Sequence, residues 1–270
     1  MKQLILLVLI SAVLNPISIR AQETEIHDKA DSSASHATDH SSITAKNPGV
    51  SKVVWDILTR MTEFISSAEG YTMVAHMGNE VVLKNGQRIE LGSYVTATLR
   101  RPSQANVRFE DRDGDNATVI LDGETISVFS SKENLFIYDT VRQPGDIDTS
   151  FDYLSDVLGT KDQLRDFFSI DLTETMAGLV KSGNYLGESK IAGVLCDNLA
   201  LSSENQYIQL WIAKGSNPAP CRIVVTYKNV EGQPQFWAQF VEWDFSPVFS
   251  DSMFKFSPPE NAERVDFFSQ

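Results

Sequence analysis

The side chains most often used to build a nucleophilic or metal centre are scarce in this chain, which has 4 histidines and 2 cysteines. His27, His36 and His40 share one Ser-, Ala-, Thr- and Asp-rich segment. Histidine binds zinc and copper, but this spacing fits no compact helical or hairpin ligand set, so a polar linker is expected there and no metal. His76 lies in strand-like sequence near Met73 and Met77 and reads as structural. A serine or cysteine hydrolase would have to use it as its only base. The chain contains no Gly-x-Ser-x-Gly, no Walker loop, no His-Glu-x-x-His and no Gly-x-Gly-x-x-Gly. Asp111-Arg112-Asp113-Gly114-Asp115-Asn116 resembles a calcium loop superficially, but an EF-hand needs glycine where Asn116 stands, and Asp-Gly between strands is a hairpin turn. Carboxylates are plentiful, and no spacing among them selects a pair for acid–base work. The expectation is a protein without catalytic residues, metal or cofactor.

Cys196 and Cys221 fall in separate predicted strands, with the strand 207–212 between them. Cysteines in an oxidising compartment are more often bridged than free, and closing this loop would contribute roughly 3 kcal/mol. Geometry argues the other way, because strands flanking a third lie about 9–10 Å apart and a disulfide needs Cα atoms within about 7 Å. Pro218-Ala219-Pro220 precedes Cys221 and lets it curl around a strand end. A disulfide between Cys196 and Cys221 is therefore predicted.

The compartment is read from the N-terminus. Met1-Lys2-Gln3 is followed by an apolar run over 4–14 and by Ile19-Arg20-Ala21, the layout of a secretory signal peptide over 1–21. The run is shorter than the roughly 20 residues that cross a bilayer, and no second long apolar run follows, so no integral membrane protein is expected. The formal charge is −13, and cleavage would remove Lys2 and Arg20 but no acid. So negative a surface disfavours nucleic acid and anionic lipid heads.

Residues 22–47 lack aromatics and read as a flexible linker, and 48–270 as one domain. That domain opens with a helix over 53–65, for which Ser51 is a candidate N-cap. Short alternating segments follow up to Ile137, and five more run from 185 to 245, giving about eleven strands with tight turns and so antiparallel neighbours. Between the two sets, 144–182 carries helical spacings of Phe, Leu and Met. The fold class is α+β, mostly β: a wide antiparallel sheet that tends to curl toward a barrel, its apolar face covered by an N-terminal helix and a mid-chain helical insert as lid. Phe151, Leu154, Phe167, Phe168, Met176, Trp211, Trp237 and Trp243 are the candidate walls of an apolar space between sheet and lid. A cavity and a fully packed core both fit the sequence.

The segment Leu99-Arg100-Arg101-Pro102 through Phe109-Glu110, followed by Leu121-Asp122-Gly123-Glu124-Thr125, resembles the LolA-like carriers, whose turn reads Asp-Gly-Lys-Thr. Over 51–268 the chain is similar to the DUF2092 family of predicted periplasmic proteins, through Gly193 to Leu201, Gln209-Leu210-Trp211-Ile212, Pro220 to Lys228 and Phe254-Lys255-Phe256-Ser257-Pro258-Pro259. Many members read Cys-Asp-His where this chain has Cys196-Asp197-Asn198. A metal or catalytic site there would have lost its best ligand. The resemblance implies a periplasmic location and an open β-barrel under a helical lid. It also implies a non-enzymatic role, either binding an acyl chain or lipoprotein-like ligand, or engaging an envelope protein as RseB-type sensors do.

Overall fold

The structure is a computed structural model that describes residues 49–140, 145–158 and 164–265. The expected signal peptide, the linker with His27, His36 and His40, and Phe267 and Phe268 lie outside the described residues.

The elements run β1 (Gly49–Val50), α1 (Lys52–Ser67), β2 (Gly70–Val82), β3 (Arg88–Arg100), β4 (Gln104–Asp111), β5 (Asn116–Asp122), β6 (Thr125–Ser130) and β7 (Leu135–Thr140). After the insert of α2 (Ile147–Leu158), the single turn α3 (Arg165–Phe168) and α4 (Leu172–Leu179) come β8 (Ser182–Ile191), β9 (Val194–Ser202), β10 (Gln206–Ala213), β11 (Pro220–Tyr227) and β12 (Gln235–Asp244). A 3-10 turn (Asp251–Phe254) and β13 (Glu263–Arg264) complete the described chain. Four α-helical segments and 13 strands are therefore described, in place of the eleven strands expected. The two additional strands, β1 and β13, have two residues each, too short to show any periodicity in sequence.

All 13 strands form one curved sheet in the order β1-β8-β9-β10-β11-β12-β2-β3-β4-β5-β6-β7-β13, and its two ends do not pair, so it stays open. Each half is an antiparallel meander. The halves meet where β12 pairs with β2, a contact between the two ends of the domain sequence. Only the edge strands are parallel, β1 on β8 and β13 on β7.

Local chemistry explains the turns. Ala192 and Gly193 both take positive φ, 46° and 87°, as a two-residue hairpin between β8 and β9 requires. In the β4–β5 turn Asp111 Oδ1 accepts the N–H groups of Asp113 and Asp115, so this acidic segment is built as a hairpin turn. In the β5–β6 turn Asp122 accepts the N–H groups of Glu124 and Thr125 and the Thr125 hydroxyl. Burial raises the Asp122 pKa, but these bonds outweigh it and hold the carboxyl below its usual range. Its contribution to stability is therefore complete above the ordinary carboxylate pKa and disappears as pH falls through the lowered one. Asp122→Ala should cost about 1 kcal/mol at neutral pH, allowing for solvent access. Urea titrations should show this difference shrinking at acid pH, and a difference constant with pH would contradict the assignment.

α1 is amphipathic, with Val54, Trp55, Ile57, Leu58, Met61 and Ile65 buried against the sheet. Ser51 takes the extended N-cap backbone, but its hydroxyl makes no cap bond, and only its carbonyl is used, by the Trp55 N–H. α2 is capped by Asp146, whose carboxylate accepts the N–H and hydroxyl of Thr149. Buried residues of α1, of the insert and of the sheet's core face form a single hydrophobic cluster.

Candidate functional site

The largest concentration of aromatic side chains lies where the insert and α1 meet the core face of β12. Phe151 of α2 packs on Phe168 of α3 at 5.6 Å between ring centres. The neighbouring Phe167 meets Phe240 of β12 edge-on at 5.6 Å. Phe240 stacks on Trp243 at 5.1 Å, and Trp243 on Phe245 at 5.4 Å. Phe245 reaches Phe64 of α1 at 4.6 Å. Such ring pairs add about 0.5–1.5 kcal/mol each beyond the area they bury.

Polar contacts fix the insert as well: the Tyr153 hydroxyl of α2 donates to the Asp139 carboxylate of β7, and the Ile147 N–H donates to the Pro102 carbonyl at 2.9 Å. The Tyr71 hydroxyl, at the start of β2, donates to the Phe167 carbonyl at 2.9 Å inside the core. Burial raises its pKa well above the ordinary tyrosine value, with smaller opposing effects from Arg101 and Asp148. Arg101, just past β3, donates to the carbonyls of Phe168 and Ser169 at 3.4 and 3.3 Å. Asp148 accepts the Ile170 N–H, and the Thr173 hydroxyl of α4 donates to that of Thr62 in α1. The buried Trp55 indole N–H has no acceptor among the described residues.

Of the eight residues predicted to line this space, Phe151, Leu154, Phe167, Phe168 and Met176 are buried in the core, and Trp243 packs partly buried against it. The structure does not bring Trp211 and Trp237 to this wall. Trp211 lies between the buried Leu210 and Ile212 and so points to the other face. Trp237 lies between the buried Phe236 and Ala238, donates its indole N–H to Glu90, and has the Arg222 guanidinium over its ring at 5.0 Å. Trp243 turns inward through a bulge. The register moves from Phe240↔Ala75 to Glu242↔Val74 and Trp243↔Met73, so the extra residue, Val241, flips the alternation. Tyr71, Arg101, Phe64 and Phe245 were not among the predicted site residues. Phe240 was legible from alternation, because it shares a strand face with Phe236.

His76 is exposed on the solvent face in a T-shaped contact with Tyr94 at 5.2 Å. It lines an open groove of about 280 Å³ with Glu90, Glu110, Arg112 and Trp237. Glu90 there is engaged by Trp237 and by Arg112, at 2.9 and 3.5 Å. Asp197, beside Cys196, is buried and accepts from Tyr185 and Arg60 at 3.0 and 3.3 Å, tying α1 to the sheet. Asn198 accepts from Gln209 across the β9–β10 pair. Asp197 and Asn198 thus each join neighbouring elements of the fold. Among the described residues no group of three or more His, Cys, Asp or Glu side chains is placed to hold a metal.

The family described as predicted periplasmic protein (DUF2092) matches residues 55–268. This chain belongs to that family. The match starts inside α1 and runs past β13, so it takes in the whole aromatic site of this DUF2092 protein. No curated protein matches the sequence. The DUF2092 chain is similar to a solved uncharacterized conserved protein from Thermus thermophilus, at 14% identity over 80% of this chain and 99% of that one, with a TM-score of 0.44. It is similar to LprF from Mycobacterium bovis, at 14% identity over 79% and 99% of the two chains, with a TM-score of 0.46. It is also similar to the LolA superfamily protein NE2245 from Nitrosomonas europaea, at 10% identity over 74% and 96%, with a TM-score of 0.38. No described helix of this DUF2092 protein is long and apolar enough to cross a membrane.

Proposed function

We propose that this DUF2092 protein is a non-enzymatic periplasmic binding or carrier protein that takes an acyl chain or similar apolar ligand between its curved sheet and its helical insert. The observation that supports this most is the aromatic series from Phe151 to Phe64, assembled from the insert, from β12 and the residues after it, and from α1. A packed helical core would serve stability equally well. An apolar interior with the helical insert on one side and the curved sheet on the other suits a ligand that carries few polar groups. Affinity would come from apolar burial at about 25 cal/mol per Å², and the unpartnered Trp55 N–H offers one polar anchor for a carbonyl. In this reading the wall is Phe151, Leu154, Phe167, Phe168, Met176 and Trp243, residues 1–21 direct export and 22–47 tether the domain. The acidic charge of −13 favours a second reading, an envelope partner bearing a basic patch.

Native mass spectrometry with an added long-chain fatty acid tests the first reading. A one-to-one complex is expected. Met176→Glu should weaken it roughly tenfold or more, since it puts a charge on the wall, and Trp211→Phe should leave it unchanged. Protein that is free of lipid and binds no fatty acid would overturn the carrier reading and leave the envelope-partner one, which a salt-sensitive pull-down would then decide.

A further inference from the structure

We propose that Cys196 and Cys221 are joined by an intramolecular disulfide that clasps β9 to β11 across the end of β10. The inference is independent of any ligand. Its ground is a bulge. The β10–β11 register passes from Trp211↔Arg222 to Ile212↔Pro220, which leaves Cys221 as the extra residue, opposite no single partner. Such a residue bends its strand and re-aims its side chain. On the other side of β10, Cys196 pairs with Ala213, the last residue of that strand. The β10 side chain beside Cys196 is therefore only a methyl group, and the β10 ladder ends there, with the Ala213 N–H already turned to the Ala219 carbonyl. The bulge and the strand end together reduce the usual separation of strands flanking a third, and Cys196 is the neighbouring group that acts on the Cys221 thiol.

Cys196 is fully buried, whereas Cys221 is partly open. The oxidant required is a disulfide-bearing thiol oxidant. The Cys221 thiolate attacks one of its sulfurs, forming a mixed disulfide and releasing one thiol. The Cys196 sulfur then attacks Cys221 Sγ and releases the second thiol. One S–S bond breaks and one forms, and the two cysteine hydrogens end on the two thiols of the reduced oxidant, which takes up the two electrons. Burial, then the neighbouring Cys196 thiol, pushes the Cys221 pKa up to about 12. The folded dithiol is thus a poor nucleophile at neutral pH, and the bond forms while the chain is folding and its thiols still ionise normally.

The test uses the full chain exported to an oxidising compartment, denatured without reductant and treated with a thiol-alkylating reagent. Mass spectrometry should find no alkylated cysteine before reduction and two afterwards. Reductant should lower the melting temperature of the native protein by roughly 5–10 °C, and it should not change that of the double variant Cys196→Ala/Cys221→Ala. Two alkylated thiols in the unreduced protein, or a bond found only between two chains, would overturn the proposal. Should the double variant fail to fold, the thiol count on the native chain decides alone.

Discussion

Replacing Phe168 by alanine is expected to lower the unfolding free energy by about 3–5 kcal/mol, the usual cost of deleting a buried aromatic ring and leaving its cavity behind. Phe168 has no solvent exposure and packs on Phe151. α3 is a single turn, so the backbone around the ring has little regular structure with which to hold itself in place. For a domain of this size the loss corresponds to a melting point lower by roughly 6–20 °C. Trp211→Ala is the control, a larger truncation on the solvent face that should cost about 1 kcal/mol or less. Denaturant midpoints for the two variants check the pair. Equal losses would mean that the insert does not share the sheet's core.

Tyr71→Phe should cost about 1–3 kcal/mol, because it removes a hydroxyl and leaves the Phe167 carbonyl buried without its donor. The effect should be regional. Hydrogen exchange should quicken in α2, α3 and α4, the helices around the Phe167 carbonyl that Tyr71 binds, and hardly change in β2 and β3, whose ladder is intact. The phenol also predicts a pH dependence. Its folded pKa is raised, so folding favours the neutral form. That contribution is complete below the ordinary tyrosine pKa of about 10 and is lost as pH rises beyond it. The wild-type protein should therefore lose stability in strong alkali by a component absent from Tyr71→Phe. Parallel alkaline denaturation curves for the two proteins would remove Tyr71 from this role. Both substitutions bear on the proposed carrier function, since a loosened insert would alter ligand entry before it altered the sheet.

Much of this site was legible from spacing. The helical spacings that hold Phe151 and Leu154, Phe167 and Phe168, and Met176 mark apolar faces of three short helices that have to be covered, and all five residues are buried. Contacts between a side chain and a distant carbonyl left no such trace. Tyr71 and Phe167 are 96 residues apart, and nothing in either local sequence reports the bond. The missing edge strands have a similar cause, because a two-residue parallel pairing is too brief to impose a pattern.

The tryptophans and cysteines mark the boundary most sharply. Alternation within 235–244 is written in the residues, and it already sets Trp237 opposite Phe236 and Phe240. It would also have set Trp243 on the outside with Trp237. One inserted residue, Val241, reverses that, and the insertion exists only because β12 must follow the register of β2, far earlier in the chain. Cys221 is likewise aimed by a bulge that arises from pairing with β10. Composition, periodicity and turn residues could specify a mostly β domain, its helical insert and its apolar faces, because those depend on neighbours in the chain. Which face a given ring or thiol finally occupies depended on strand register, a property of two segments at once that neither segment carries alone.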